Sequence, residues 1–106
     1  MSSSFRRFEI LLPLKFNDGS EVPSALITET ILELEQKFGA VSAESQTIHG
    51  HWRDQGVVFR DQLVRIFIDV LDISENRDFF SGFKETLKER FKQLEIWLTT
   101  FPVEKM

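Results

Sequence analysis

The chain has 106 residues, of which 42% are hydrophobic and 28% charged, and this balance is typical of a folded domain and not of a disordered segment. Its 13 Lys and Arg against 17 Asp and Glu give a net charge of -4, which argues against a general nucleic-acid-binding surface. The lack of Cys excludes a disulfide framework, a thiolate nucleophile and a Cys-based metal site. No apolar run is long enough for a signal peptide or a membrane span, so we expect one cytoplasmic domain over residues 1–106.

The first half of the chain predicts a strand, a helix and a second strand. Apolar residues alternate along Phe5–Phe16, as in a strand with one buried face. Pro23 and Gly39 bound a segment in which apolar residues recur at helical spacing, and they suit its beginning and its end. We expect residues 40–45 to form a link and Gln46–Arg53 to form the second strand.

A hairpin follows. Asp54-Gln55-Gly56 is a typical tight connection between two antiparallel strands. The returning strand, Val57–Leu71, is longer than most strands, so we expect a bulge or break near residues 60–62.

The rest of the chain predicts a second helix and a closing strand. Ser74 is a suitable cap for a helix that runs to about Gln93, and Leu94–Phe101 reads as a strand ended by Pro102. The order is then βαββαβ, an α+β ferredoxin-like two-layer sandwich with an antiparallel sheet. Right-handed crossovers put both helices on one face of the sheet, which leaves the other face without cover.

The hairpin concentrates the chemically versatile side chains. On a strand, His49 and His51 point to the same face about 6 to 7 Å apart, close enough to share a divalent metal or a phosphate. A metal site needs at least a third ligand, and Asp54, Asp61 or Asp69 supplies one only if the fold brings it near. The alternative is that both His lie on a solvated or interface-facing strand surface.

Asp69 is the best single candidate for acid–base chemistry, because it interrupts an apolar strand. Together with Glu9 it would form a carboxylate pair of the kind that cation-dependent nucleases of this fold use. An ion pair of Asp69 with Arg65 or Arg7 is the simpler interpretation. No phosphate-binding glycine loop, nucleophile elbow or zinc-protease helix accompanies these residues.

The turn, helix-end and hairpin residues also carry a family resemblance. Asp18-Gly19 and Pro23 precede the first predicted helix, Phe38-Gly39 ends it, and Gly50-x-Trp52-x-Asp54-x-Gly56 forms the hairpin, with Asp61 beyond it. In these features the chain resembles small uncharacterised bacterial proteins of about 100 residues. The resemblance implies the ferredoxin-like fold and no particular activity.

The leading hypothesis is a non-enzymatic interaction or regulatory module that forms a homodimer or a higher homo-oligomer through the helix-free sheet face. That face mixes apolar and charged side chains, as a covered interface does. The residues predicted there are Leu11, Leu63, Arg65, Phe67, Asp69 and Trp97.

Two alternatives stay open. One is a small metal-dependent hydrolase or nuclease-like enzyme that uses His49 and His51 with a nearby Asp. The other is a small-molecule-sensing domain that acts through a separate protein and holds its ligand at the subunit interface. Apart from the metal of the first alternative, we expect no cofactor, and we expect neither a membrane nor a nucleic acid as partner.

Overall fold

The computed structural model describes residues 4–52 and 57–106, with side chains described over 4–46 and 62–106. The elements follow the predicted order: β1 (Phe5–Pro13), α1 (Ser24–Phe38), β2 (Ser42–Trp52), β3 (Val57–Leu71), α2 (Ser74–Arg90) and β4 (Trp97–Val103). The four strands form one sheet in the order β2-β3-β1-β4, and every neighbouring pair is antiparallel. The predicted ferredoxin-like fold is confirmed.

The core lies between the helices and one side of the sheet. Alternate residues of β1 and β3 meet the apolar stripes of α1 and α2 there, because period-two and helical spacing both gather apolar side chains on one face. Phe80 of α2 is at the centre and stacks on Phe8 of β1, with ring centroids 4.0 Å apart. The buried apolar residues are Phe8, Ile10, Leu12, Val22, Leu34, Ile66, Ile68, Val70, Phe80, Phe83, Leu87, Phe91 and Ile96.

A polar contact joins the two helices. Thr30 of α1 is fully buried, and its hydroxyl donates to the carbonyl oxygen of Leu26 at 2.9 Å. The same hydroxyl accepts from a guanidinium nitrogen of Arg90 at 2.9 Å, and Arg90 also makes two hydrogen bonds to Glu33, at 3.1 and 2.8 Å. These bonds satisfy a buried hydroxyl that would otherwise destabilise the fold.

Two strand predictions are wrong. Residues 42–45 belong to β2, since Ser42 pairs with Phe67 and the register continues to Trp52 opposite Val57. Pairing with a long neighbouring strand therefore outweighs the weak strand preference of Ser, Ala and Glu. The expected break near residues 60–62 is absent, because the pairing of β3 with β2 continues residue by residue through this stretch. The ladder between β1 and β3 ends at Pro13 opposite Leu63.

The later boundaries also differ from the predictions. Ser74 is the first helical residue and not the cap, which is Ile73. The helix ends at Arg90 because Lys92 adopts a left-handed conformation, with φ of 54°. Strand β4 starts three residues later than predicted and includes Pro102, which is compatible with an edge strand because one side of it needs no ladder hydrogen bonds.

Neither helix described here is both long and apolar enough to cross a membrane.

Candidate oligomerisation face and adjoining groove

The sheet side opposite the helices, termed the open face, brings together all six residues predicted for an interface. On β3, Leu63, Arg65, Phe67 and Asp69 alternate with the core-facing residues. The register then places Leu11 of β1 beside Arg65, and Trp97 of β4 beside Leu11. Of the described side chains, those on the open face are Phe5, Arg7, Glu9, Leu11 and Pro13 of β1, Ser42, Glu44 and Gln46 of β2, Leu63, Arg65, Phe67, Asp69 and Leu71 of β3, and Trp97, Thr99, Phe101 and Val103 of β4.

Asp69 forms a two-pronged ion pair with Arg7. The two residues are opposite each other in the β1–β3 ladder, and the Arg7 nitrogens donate to both Asp69 carboxylate oxygens, at 2.7 and 3.0 Å. The hydrogen bond from Arg7 holds the pKa of Asp69 below its ordinary value, and the hydrogen bond to Asp69 raises the pKa of Arg7. Of the two partners considered for Asp69, Arg7 is the one in contact.

A second guanidinium, that of Arg65, bridges two strands. It donates to Glu9 of β1 and, at 2.9 Å, to Glu44 of β2. Its hydrogen bonds, first to Glu9 and then to Glu44, raise the pKa of Arg65. Arg65 also lies over the Phe67 ring, 4.0 Å from its centroid, and Arg7 approaches the same ring at 5.2 Å. Both guanidinium groups therefore lie within cation–π distance of the Phe67 ring.

These contacts argue against Glu9 and Asp69 as a catalytic carboxylate pair. Each carboxylate is held by a different guanidinium, Glu9 by Arg65 and Asp69 by Arg7. A general acid at neutral pH needs a raised pKa, whereas the pKa of Asp69 is lowered. Both groups are arranged as partners in ion pairs.

The open face also exposes large apolar side chains. Trp97 keeps 64% of its surface exposed, and Phe101 keeps 40%. Sequence reasoning missed Phe101 and Glu44: the first was taken as the last strand residue before Pro102, and the second fell in the predicted link. Since Phe101 is four residues after Trp97, period-two alternation alone was enough to place it on this face.

The two histidines proposed as metal ligands lie on β2. His49 is in register with Arg60, and His51 with Val58, but their side chains are outside the described residues. The side chains of Asp54 and Asp61 are likewise outside them. Among the side chains that are described, no three His, Asp or Glu come close enough together to hold a metal ion. The metal site therefore stays a prediction.

One end of the open face forms part of a groove of about 1140 Å³, since Leu11, Pro13, Leu63 and Trp97 belong to both. It lies between the end of β1, the start of β4 and Gln62–Leu63 of β3, and Trp97 forms part of its wall. Polar side chains in the lining are Lys15, Asn17, Gln62, Gln93 and Glu95. The volume slightly exceeds the roughly 300–1,000 Å³ that is usual for a small-molecule pocket, so a small organic molecule would occupy only part of the groove.

The carboxylate of Glu95 is already paired with a cation of the same chain. Its carboxylate accepts from the ammonium group of Lys84 at 2.8 Å and from the backbone N–H of Ile96 at 3.0 Å. These bonds, with Lys84 the larger influence, lower the pKa of Glu95. Among the described residues, Lys15 of the same groove makes no ion pair. Among the described side chains, the lining therefore holds one cation outside any salt bridge, Lys15, together with residues that carry side-chain amides and an indole.

The same fold occurs in several solved structures. A phage SAM lyase in complex with S-methyl-5'-thioadenosine aligns with 99% of this chain and 92% of its own, at 16% identity and a TM-score of 0.63. CutA from Synechococcus elongatus aligns with 96% of this chain and 79% of its own, at 8% identity and a TM-score of 0.60. CutA1 from Oryza sativa aligns with 99% and 84%, at 10% identity and a TM-score of 0.61.

At these identities the likeness shows the fold alone. No protein-family model matches the chain, and no curated protein matches it significantly.

Proposed function

We propose that this chain is a non-enzymatic interaction module that binds a second copy of itself through the open face. The observation that carries the proposal is that the charged side chains of this mostly apolar surface are paired with one another. Arg7 is bonded to Asp69, and Arg65 is bonded to Glu9 and Glu44. Charges that are already paired and hydrogen-bonded enter a buried interface at a much lower cost than free charges.

Electrostatic balance supports a second copy as the occupant. The described open face carries two cations and three carboxylates, and Lys105, which lies over the Phe5 ring at 4.4 Å and attracts Asp69, adds a third cation. The face is thus close to neutral, although the whole chain carries a net charge of -4. Two identical neutral faces meet without net repulsion, whereas the net charge of -4 falls on the rest of the chain.

The size of the face also suits a dimer. Nine β1 residues span about 30 Å, and four strands span about 19 Å across the sheet, a projected area of roughly 600 Å². Side-chain relief increases the accessible area above this projection, toward the roughly 800 Å² per partner that stable interfaces bury. A two-fold arrangement is the simplest closed form, because it pairs the same patch on both copies.

The test compares two exposed apolar residues on opposite sides of the protein. Phe101→Glu adds a carboxylate to the open face, and Leu32→Glu makes the same change on α1, where Leu32 is 46% exposed. Light scattering after size-exclusion chromatography should give a multiple of the 12.4 kDa chain mass for the wild type and for Leu32→Glu. The dissociation constant of Phe101→Glu should be at least about tenfold higher than that of the wild type, because an unpaired charge enters the contact. A monomeric wild type at micromolar concentration, or equal effects of the two changes, contradicts the proposal.

A second candidate function is small-molecule binding in the groove beside Trp97. Two observations favour it: the groove at the end of the open face is large enough to admit a small molecule, and the phage SAM lyase with this fold was solved with S-methyl-5'-thioadenosine. In this alternative, self-association through the open face brings a second copy next to the groove. A thermal-shift screen against metabolites tests it, and a flat response across nucleosides, amino acids and organic acids counts against it.

A further inference from the structure

We infer that the groove beside Trp97 binds a flat nitrogen heterocycle of the nucleoside class. This inference deepens the second candidate function, ligand binding, and rests on it. It does not require the open face to be an interface. The groove is lined by the exposed residue Trp97 and by three residues that carry side-chain amides, Asn17, Gln62 and Gln93.

The indole supplies the stacking surface. Trp97 leaves 64% of its surface exposed and lines the groove together with apolar residues of β1 and β3, Leu11 and Leu63. A flat heterocycle that stacks on the indole displaces water from the apolar face of each ring. Such stacking does not depend on the identity of the base.

The amides supply hydrogen bonds to the edge of the ring. A side-chain amide carries one acceptor and two donors, so it matches the alternating donors and acceptors of a heterocyclic base. Gln93 uses one amide hydrogen on the carbonyl oxygen of Phe91, at 3.1 Å, a bond that fixes its orientation and leaves the amide oxygen to accept. Gln62 is exposed at the β3 end of the lining, where alternation with Leu63 puts its side chain on the helix side of the sheet. A carboxylate-rich lining would favour a cation, whereas this lining favours a neutral polar ring.

The positive charge of Lys15 indicates where a phosphate would lie. Glu95 is paired with Lys84, so Lys15 is the cation of the lining that a ligand can use. A nucleoside monophosphate therefore gains one ion pair over the nucleoside, and substitution of Lys15 should remove only this gain. Exposed ion pairs of this kind contribute little, which makes the stacked ring the main determinant of affinity.

The experiment measures binding of adenosine, AMP and ribose 5-phosphate by titration calorimetry on the full chain. The variants are Trp97→Leu, which keeps apolar volume but removes the indole, and Phe101→Leu, a matched change four residues away on the same strand and face. Adenosine and AMP should bind the wild type saturably. Ribose 5-phosphate should bind at least about tenfold more weakly than AMP. Trp97→Leu should weaken adenosine binding about 10- to 100-fold, as expected for the loss of one stacked ring. Phe101→Leu should leave it unchanged.

Three results overturn the inference: no saturable heat with adenosine and AMP at millimolar concentration, equal effects of the two Leu variants, or binding of ribose 5-phosphate as tight as that of AMP. Loss of the AMP advantage in Lys15→Ala, with adenosine binding intact, supports it. Light scattering on the same samples separates this inference from self-association. A monomeric Phe101→Glu that still binds adenosine supports the ligand site by itself, and a monomeric Phe101→Glu that binds neither probe refutes the ligand site alone.

Discussion

Arg65→Met tests whether the paired charges make the open face suitable for burial. Arg65 lies in the central strand β3, and 18% of its side chain is exposed. Methionine keeps an unbranched apolar chain over Phe67 but removes the bonds to Glu9 and Glu44. The change therefore leaves two carboxylates on the face without the cation that they share.

The expected loss has two parts. Within one chain, two partly exposed ion pairs contribute about 0.2–1 kcal/mol each, and the contact with the Phe67 ring contributes about 0.5–1 kcal/mol. The free energy of unfolding should fall by about 1–3 kcal/mol, which corresponds to about 5–15 °C in Tm for a chain of this length. Between two chains, burying the unpaired Glu9 and Glu44 costs several kcal/mol more, so the dissociation constant should rise by about 100-fold or more.

Urea denaturation at two protein concentrations measures both parts. The wild-type midpoint should rise with concentration because folding and association are coupled, and the Arg65→Met midpoint should be lower and independent of concentration. Arg77→Met is the control. Arg77 lies on α2, away from the open face, and pairs with Asp72 at 3.0 Å, with 52% of its side chain exposed. The reasoning is refuted if Arg65→Met and Arg77→Met share one midpoint and one concentration dependence.

Two further predictions concern stability. The lowered pKa of Asp69 means that its ion pair with Arg7 stabilises the fold above the unfolded-state pKa of about 3.9, and that this contribution is lost as the pH falls through the lower folded-state pKa. Urea midpoints of the wild type and Asp69→Asn should therefore differ at pH 7 and converge near pH 2; a constant difference over this range would show that Arg7 does not act through the carboxylate charge. Gly39→Ala should lower the free energy of unfolding by about 1–2 kcal/mol, because Gly39 ends α1 with φ of 87° and an added Cβ meets no atom within 4 Å, so backbone strain is its only cost. Gly39→Asn should recover part of this loss in the same thermal denaturation assay, and equal stability of Gly39→Ala and the wild type would contradict the strain argument.

Sequence periodicity was sufficient to predict the fold because it determines which side of each element is buried. The stripe of Phe80, Phe83 and Leu87 indicated α2, and the row of Ile66 and Ile68 indicated the core side of β3. Strand ends were harder to predict. Residues 42–45 have weak strand preference and are strand because β3 pairs with them, and Pro102 continues β4 because that strand lies at the sheet edge.

The ion pairs of the open face illustrate what periodicity leaves open. Alternation places Arg7, Glu9, Arg65 and Asp69 on one side of the sheet, but it allows Asp69 to pair with either arginine or to lie beside Glu9. The choice depends on the register between β1 and β3, and a shift of two residues would keep every side chain on its face while changing every partner. In the observed register each carboxylate meets a guanidinium. The same sequence pattern thus gives a carboxylate pair in one register and a charge-balanced surface in the other, and the proposed self-association rests on the charge-balanced register that is observed.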